Sequence, residues 1–485
     1  MKRTAFLIVL TVMLGWAQAA DQWPQYGGGA SHNSVATGTA PVLTQTRLAV
    51  GASAGMSAAA SPVVFDGKAY VYCPLGATTI LNAYSVIGGA LKWSVPVEMA
   101  VDDSWSSPAV DAASRSIIVA TGQKVIALNA DTGATRWSTP LGADVINASV
   151  TIAAGKAFVT TFAVYGDEAA LAAVNLDSAA GTVGSIAWSV PIGSASGNTP
   201  AWYPGTGPAD AGVIVANVDG YIRSYNPADG EPRWTYAAPG AGTFDIAGGA
   251  FFGGVSVDGD YAYVASYNFY GTGDNSFVYK LNAATGARVW YSPSERTDSV
   301  PVVAGDIVLL SAGLRQYGSV PKLQAFNKTT GAKLWETASM GGWTCTPLVV
   351  GGVAYVGTMS SVSSFFEYYV QLNAVDLSKT PSDSGFVIGS NAAAGGTPAY
   401  ADGNVYSVGA GGLCAFGPIP HVWPIPCDAN LDCKVNILDL ILVRGKLGAD
   451  VASGNNWQAD VNADGKINIL DLISVRSKLN TACPK

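Results

Sequence analysis

Near its C-terminus the chain twice spaces oxygen-bearing side chains as a hard cation requires. Asp428, Asn430, Asp432, Asn436 and Asp439 occupy positions 1, 3, 5, 9 and 12 of one loop; Asp460, Asn462, Asp464, Asn468 and Asp471 repeat the spacing in a second. Position 7, Lys434 and Lys466, would add a backbone carbonyl. The pattern suits a twelve-residue calcium loop, in which the ion takes about 6–8 oxygen ligands, so two calcium ions are expected. The units Asp428–Leu447 and Asp460–Leu479 share fourteen of twenty residues at an offset of 32. Three carboxylates converging in one loop repel each other, and a cation turns that repulsion into folding energy for a segment too small to bury much core.

The elements that must position these ligands can be read around them. Each loop leads into a short amphipathic helix, with Leu440, Ile441, Val443 and Leu447 in one copy and Leu472, Ile473, Val475 and Leu479 in the other. Position 6 calls for positive φ, which Gly465 supplies in the second loop, whereas the first has Cys433. Either loop 1 binds calcium more weakly or a disulfide holds Cys433, with Cys427 and Cys483 as candidate partners. A loop followed by a single helix, duplicated, resembles the dockerin module, which plugs enzymes into cohesin-bearing scaffolds. The resemblance implies a cohesin-type partner meeting Ile437, Leu438, Arg444 and Lys446 in one copy and Ile469, Leu470, Arg476 and Lys478 in the other. The near-identity of the copies predicts a pseudo-twofold module able to dock in either of two orientations, with the apolar positions shared between core and face.

Lys2 and Arg3, the apolar run Ala5–Leu14 and the small residues to Ala20 read as a secretory signal peptide, residues 1–20. The expected location is therefore extracellular or at the cell surface, with the periplasm as second choice. Only 12% of residues are charged and the net charge is −8, which disfavours nucleic acid and anionic membranes as partners. Six cysteines fit an oxidising compartment, their pairing being left open by sequence.

Between signal and tail the chain repeats. LNADTGATRW ends at Trp137 and LNAATGARVW at Trp290; looser versions end at Trp93, Trp188, Trp234 and Trp335. The spacings are 44, 51, 46, 56 and 45 residues. A second phrase, small-Pro-apolar-apolar, recurs near residues 61, 107, 148, 199, 252, 299, 346 and 397. Units of this length with Asp-Gly and Thr-Gly turns predict a mainly β protein, an eight-bladed β-propeller. The eighth unit ends early at Phe416, and Thr46–Ala52 is the expected strand that completes it and closes the ring. The repeat, with Trp23-Pro24-Gln25-Tyr26-Gly27 as its opening, resembles the pyrroloquinoline-quinone (PQQ) dehydrogenase-like propellers over residues 21–417. That resemblance implies that each tryptophan sits between blades with its indole N–H on a partner in the next. Residues 418–426, rich in proline, would form a semi-rigid linker to the dockerin-like domain at 427–485.

The residues do not carry over the quinone enzymes' chemistry. Those enzymes hold a vicinal Cys-Cys disulfide over the cofactor, and this chain has no adjacent cysteines. No motif matches their calcium ligands, so PQQ is not expected. His32 and His421 are the sole histidines, which leaves little for triad chemistry in the propeller. Glycosidase-type work would draw on Asp102, Asp103, Asp167, Glu168, Asp245, Asp274 or Glu367. Trp105, Trp202, Tyr203, Phe269, Tyr270, Trp343, Phe365, Phe366 and Tyr368 could stack on a glycan at a propeller face, or simply pack. The favoured expectation is a secreted binding or scaffold propeller in a polysaccharide-related assembly. The alternatives are a carbohydrate-active enzyme and, last, a PQQ-dependent dehydrogenase.

Overall fold

The computed structural model describes residues 22–44, 46–50, 60–75, 78–97, 106–163, 168–242, 249–268, 274–314, 319–359, 369–417, 427–430, 434–449, 451, 456–462 and 466–481. The signal peptide, the linker 418–426, Gly51, Ala52, Asp432, Cys433, Asp464, Gly465, Cys483 and His421 lie outside them. So do Asp102, Asp103, Trp105, Asp167, Asp245, Phe269, Tyr270, Phe365, Phe366, Glu367 and Tyr368.

Eight antiparallel sheets form the eight blades of a propeller. Blade 1 is Val63–Phe65, Lys68–Leu75, Thr78–Ser85 and Leu91–Val97, paired in sequence order; blade 2 is Ala109–Asp111, Ser116–Asn129 and Thr135–Val145; blade 3 is Thr151–Ala153, Lys156–Thr160, Ala169–Asn175 and Ile186–Gly193; and blade 7 is Leu348–Val350, Val353–Met359, Tyr369–Asp376 and Val387–Asn391. Blade 8 contributes Ala399–Ala401, Asn404–Gly409 and Gly412–Phe416, and Thr46–Val50 pairs antiparallel with the last of these. The predicted closure is therefore present, and no open edge remains between first and last blades.

The tryptophan phrase works as an inter-blade dock. The indole N–H of Trp93 donates to Ala130 O at 3.1 Å, Trp188 to Pro227 O at 3.1 Å, Trp234 to Ala283 O at 2.9 Å and Trp290 to Lys328 O at 3.1 Å. Each acceptor lies in the turn of the following blade. That turn ends in a glycine at φ +71° to +82° (Gly133, Gly184, Gly230, Gly286, Gly331), against which the preceding tryptophan ring packs so closely that a Cβ would fall 2.5–2.9 Å from its atoms. Glycine is required twice over, for its φ and for the ring's approach.

The small-Pro phrase has a role that the sequence reading did not assign. Its hydroxyl accepts the backbone N–H of the same position one blade earlier: Ser61 N to Ser107 Oγ, Ser107 N to Ser149 Oγ and Ser149 N to Thr199 Oγ1, all at 2.9 Å, and Thr346 N to Thr397 Oγ1 at 3.2 Å. These groups are buried, so each bond satisfies a donor that would otherwise be stranded.

An N-terminal arm, residues 22–41, visits the blades in order. Trp23 exchanges backbone bonds with Val64 at 2.8 and 3.0 Å, Pro24 O accepts from Val110 N at 2.7 Å, and the Gln25 amide takes Ile152 N at 2.9 Å. Ala30 O and Ser31 O accept from Trp202 N and Val257 N, both at 2.8 Å. Asn33 bonds both N–H and C=O of Val303, Ser34 O accepts from Val349 N, and Gly38 abuts the Tyr400 hydroxyl in blade 8. Every partner is the middle residue of a blade's innermost strand. Within this arm His32 is fully buried, edge-on to Tyr26 at 5.7 Å, and burial drives its imidazole down to about 3. It is a neutral packing residue.

Cys73, Cys345 and Cys414 are buried free thiols in blades 1, 7 and 8, and Cys427 is likewise free. Burial pushes the Cys345 thiol up to about 12 and Cys414 up to about 11, so both are inert small hydrophobes. The cysteine count, read as fitting an oxidising compartment, does not reflect disulfide staples among these four.

Candidate functional site: the C-terminal calcium loops and helix face

The tail folds as two copies of loop and helix, α1 Ile437–Gly445 and α2 Ile469–Ser477. Each helix starts where its loop ends. Asn436 and Asn468 are the N-caps, accepting from Leu438 N at 2.8 Å and Leu470 N at 2.7 Å. Asp439 and Asp471, third in their helices, reach back to the cap N–H at 2.8 Å and accept from Asn430 N at 3.0 Å and Asn462 N at 3.2 Å. These capping boxes place a carboxylate at each positive helix end. The copies also exchange equivalent bonds, Gly448 N to Ile467 O at 2.9 Å and Asn480 N to Val435 O at 2.8 Å. Each bond is the other's image at the offset of 32, which makes the pseudo-twofold relation physical.

The donor set fits a hard cation. Asp428, Asp439, Asp460 and Asp471 are all completely buried, and buried carboxylates are retained where a positive charge compensates them. Asp428, Asn430, Lys434 and Asp439 would hold one ion, and Asp460, Asn462, Lys466 and Asp471 the other, with Asp432 and Asp464 outside the described residues. Asn436 and Asn468 spend one lone pair on the cap and keep a second for a ligand role, direct or through water. An ion held there would act structurally, joining loop to helix.

The expected sharing of Ile437, Leu438, Ile469 and Leu470 between core and surface is not observed. These four, with Ile441 and Ile473, are 52–62% exposed. Leu447 is exposed too, so the buried stripe is narrower than the sequence suggested. Val435, Val443, Ile467 and Val475 supply the core instead, backed by Leu440 and Leu472. Ile437, Ile441 and Arg444 of α1 meet Ile469, Ile473 and Arg476 of α2 across a groove of about 360 Å³. Leu438 and Leu470 stand exposed in the first turns of the helices, and Lys446 and Lys478 cap the helix ends. Ile441 and Ile473 were missed as face residues because helical periodicity assigned them to the core.

Of the acid candidates in the propeller, Glu168 and Asp274 lie among the described residues. Glu168 is exposed. Asp274 pairs with Lys333 and accepts from Gln324 Nε2 at 3.1 Å, the same amide and lysine that hold Glu336. Against the desolvation of its site, bonds from Lys322, Gln324 and Lys333 hold the Glu336 carboxyl at about 2, so it cannot serve as general acid. Trp202 stacks on Phe158 at 6.4 Å, Tyr203 is buried, and Trp343 packs edge-on to Tyr267 at 5.7 Å. These three are packing residues rather than a glycan platform.

Comparison with known proteins agrees with both halves. The family described as outer membrane protein assembly factor BamB, a PQQ-like repeat family, matches residues 77–272 and 273–379. That is more than half of the chain, which therefore belongs to this family of repeat propellers. The dockerin type I domain matches residues 426–480. Among solved structures the chain is similar to BamB from Moraxella catarrhalis (19% identity, 71% of this chain and 94% of that one, TM-score 0.50). It is also similar to a europium-containing methanol dehydrogenase (12% identity, 96% and 98%, TM-score 0.59) and the quinohemoprotein alcohol dehydrogenase from Comamonas testosteroni (12%, 82% and 80%, TM-score 0.59). At these identities the likeness concerns fold. No curated protein matches the chain. Among the described residues no helix is long and apolar enough to cross a membrane.

Proposed function

We propose that the protein is an exported docking subunit: calcium folds the C-terminal module, the module binds a cohesin-type partner, and the propeller is carried as a binding or scaffold body in a polysaccharide-related assembly. One observation carries this reading. Six large aliphatic side chains stand out of two short helices whose core is already complete, arranged as two related half-sites rimmed by Arg444 and Arg476. Such a patch on so small a module is a binding surface. The buried loop carboxylates make calcium the condition for presenting it.

The test uses the full chain over an immobilised type I cohesin module. Capture is expected in calcium and lost in EGTA. Ile441→Asp or Ile473→Asp alone is expected to weaken capture modestly, since the other orientation survives, while the double variant abolishes it with the module still folded by circular dichroism. Capture indifferent to EGTA, or undiminished in the double variant, would reject the reading.

A further inference from the structure

The tryptophan dock is not made equally at every blade boundary. Trp93, Trp188, Trp234 and Trp290 each give their N–H to the carbonyl of the residue after an asparagine in the next turn: Asn129, Asn226, Asn282 and Asn327. Blade 3 has the same landmark. Asn175 O closes the turn on Gly184 N at 2.8 Å, as Asn129 O does on Gly133 N. Its turn, however, runs the longer course Asn175–Gly184, and Trp137 Nε1 meets no acceptor among the described residues. A pocket of about 350 Å³ opens beside the ring.

Blade 7 has a turn of the same length. Its turn runs from Asp376 to Gly385, and Asp376 N bonds Phe386 O at 2.8 Å where Asn175 N bonds Ser185 O at 2.9 Å. The two turns are in register, with Phe386 at the place of Ser185. Phe386 packs edge-on to Trp335 at 5.4 Å. In blade 3 the Ser185 hydroxyl accepts from Asn175 Nδ2 at 3.1 Å and donates to Thr182 O at 2.6 Å, and the turn walls the pocket with Leu176 and Val183.

The lining is chemically mixed. Asp111 and Arg136 supply one charge of each sign, Ser116 supplies a hydroxyl, and Trp137, Leu176 and Val183 supply an apolar wall. Ser114, also on the wall, has a single hydroxyl hydrogen for two acceptors, Asp111 and Ser116, so acceptor capacity is left over. The wall thus combines donors, acceptors and an apolar patch, with one charge of each sign. An anion would meet Asp111 and a cation Arg136, while a polyhydroxylated ring offers donors, acceptors and a C–H face together. The volume lies at the small end of the range of ligand sites, about 300–1,000 Å³, which suits a single ring and excludes an extended chain. We propose that the pocket between blades 2 and 3, lined by Asp111, Arg136 and Trp137, binds one neutral sugar ring. This site is separate from the tail's docking face and independent of whether that face docks.

The full-length protein would be titrated by saturation-transfer NMR and calorimetry with methyl β-glucopyranoside, methyl β-galactopyranoside, methyl β-xylopyranoside and cellobiose, with glucuronate and acetate as charged controls. Saturable binding of at least one neutral sugar is expected, weakened tenfold or more by Arg136→Ala. Val183→Trp, which puts a bulky ring on the pocket wall, should abolish it. Arg136 is exposed, so that variant keeps the fold even if Val183→Trp does not. Absence of saturable binding by every neutral probe, binding of the charged controls alone, or sugar binding unchanged in Arg136→Ala would each overturn the proposal.

Discussion

At Gly286 two demands meet in one residue. Its φ of +71° asks for glycine, and a Cβ there would lie 2.5 Å from the ring of Trp234. Gly259 has a similar φ of +57° with nothing within 4 Å. The pair separates backbone strain from lost docking space. Gly259→Ala is expected to cost about 1 kcal/mol, from the left-handed backbone alone. Gly286→Ala adds overpacking against the indole and should cost about 2–4 kcal/mol. Trp234→Phe, which removes the bond to Ala283 O, should fall between them at about 1–2 kcal/mol. Chemical denaturation of the three variants orders them, and equal costs for the two alanines would mean that the ring does not press on the turn. These docks were legible in the sequence because every blade must rebuild the same turn, so the phrase recurs. The pocket at Trp137 was not legible, since the longer turn that walls it with Leu176 and Val183 follows no repeat.

Among the elements, the N-terminal arm was the least visible before the structure. It passes each blade once, so it has no period, and its contacts are made partly by backbone and partly by amides that read as ordinary loop residues. Gln25 and Asn33 act as surrogate peptide groups: each side chain pairs with both the N–H and the C=O of one inner-strand residue, Ile152 and Val303. An inner strand otherwise has a bare edge. The small-Pro phrase was visible as a repeat, yet its hydroxyl bonds run between blades and leave no local trace. Asn33→Ala is therefore expected to cost about 1–3 kcal/mol, because it strands the polar groups of Val303 at the centre of the ring. Asn33→Asp should do no better, since a carboxylate cannot donate to Val303 O. The check is the midpoint of guanidinium unfolding for both variants against the native chain. A shift in midpoint equivalent to less than about 0.5 kcal/mol would show that water or a neighbour replaces the amide without loss.

For the molecule as a whole, the two domains draw on different sources of stability. The propeller closes on itself through Thr46–Val50, the tryptophan docks, the hydroxyl bonds between blades and the arm. The tail places four fully buried carboxylates around a core of only a few aliphatic side chains, which without a compensating cation is a large desolvation cost for a small return. The candidate loops could be picked out because a hard cation would dictate such ligand spacing, whereas the direction faced by Ile441 and Ile473 depends on how the two helices pack on each other and is not encoded in either alone. Calorimetry of the intact chain should therefore show two transitions. The smaller one is expected to rise with calcium, by about 2.7 kcal/mol of stability when the free ion reaches a hundred times its dissociation constant, and to vanish in EGTA. The larger transition should stay where it is. Asp460→Ala with Asp471→Ala should reproduce the effect of EGTA on the smaller transition even in saturating calcium, since both loops share one core through the Gly448–Ile467 and Asn480–Val435 exchange. A calcium-dependent shift of the larger transition would instead place a metal, or the docked tail itself, among the forces that hold the propeller closed.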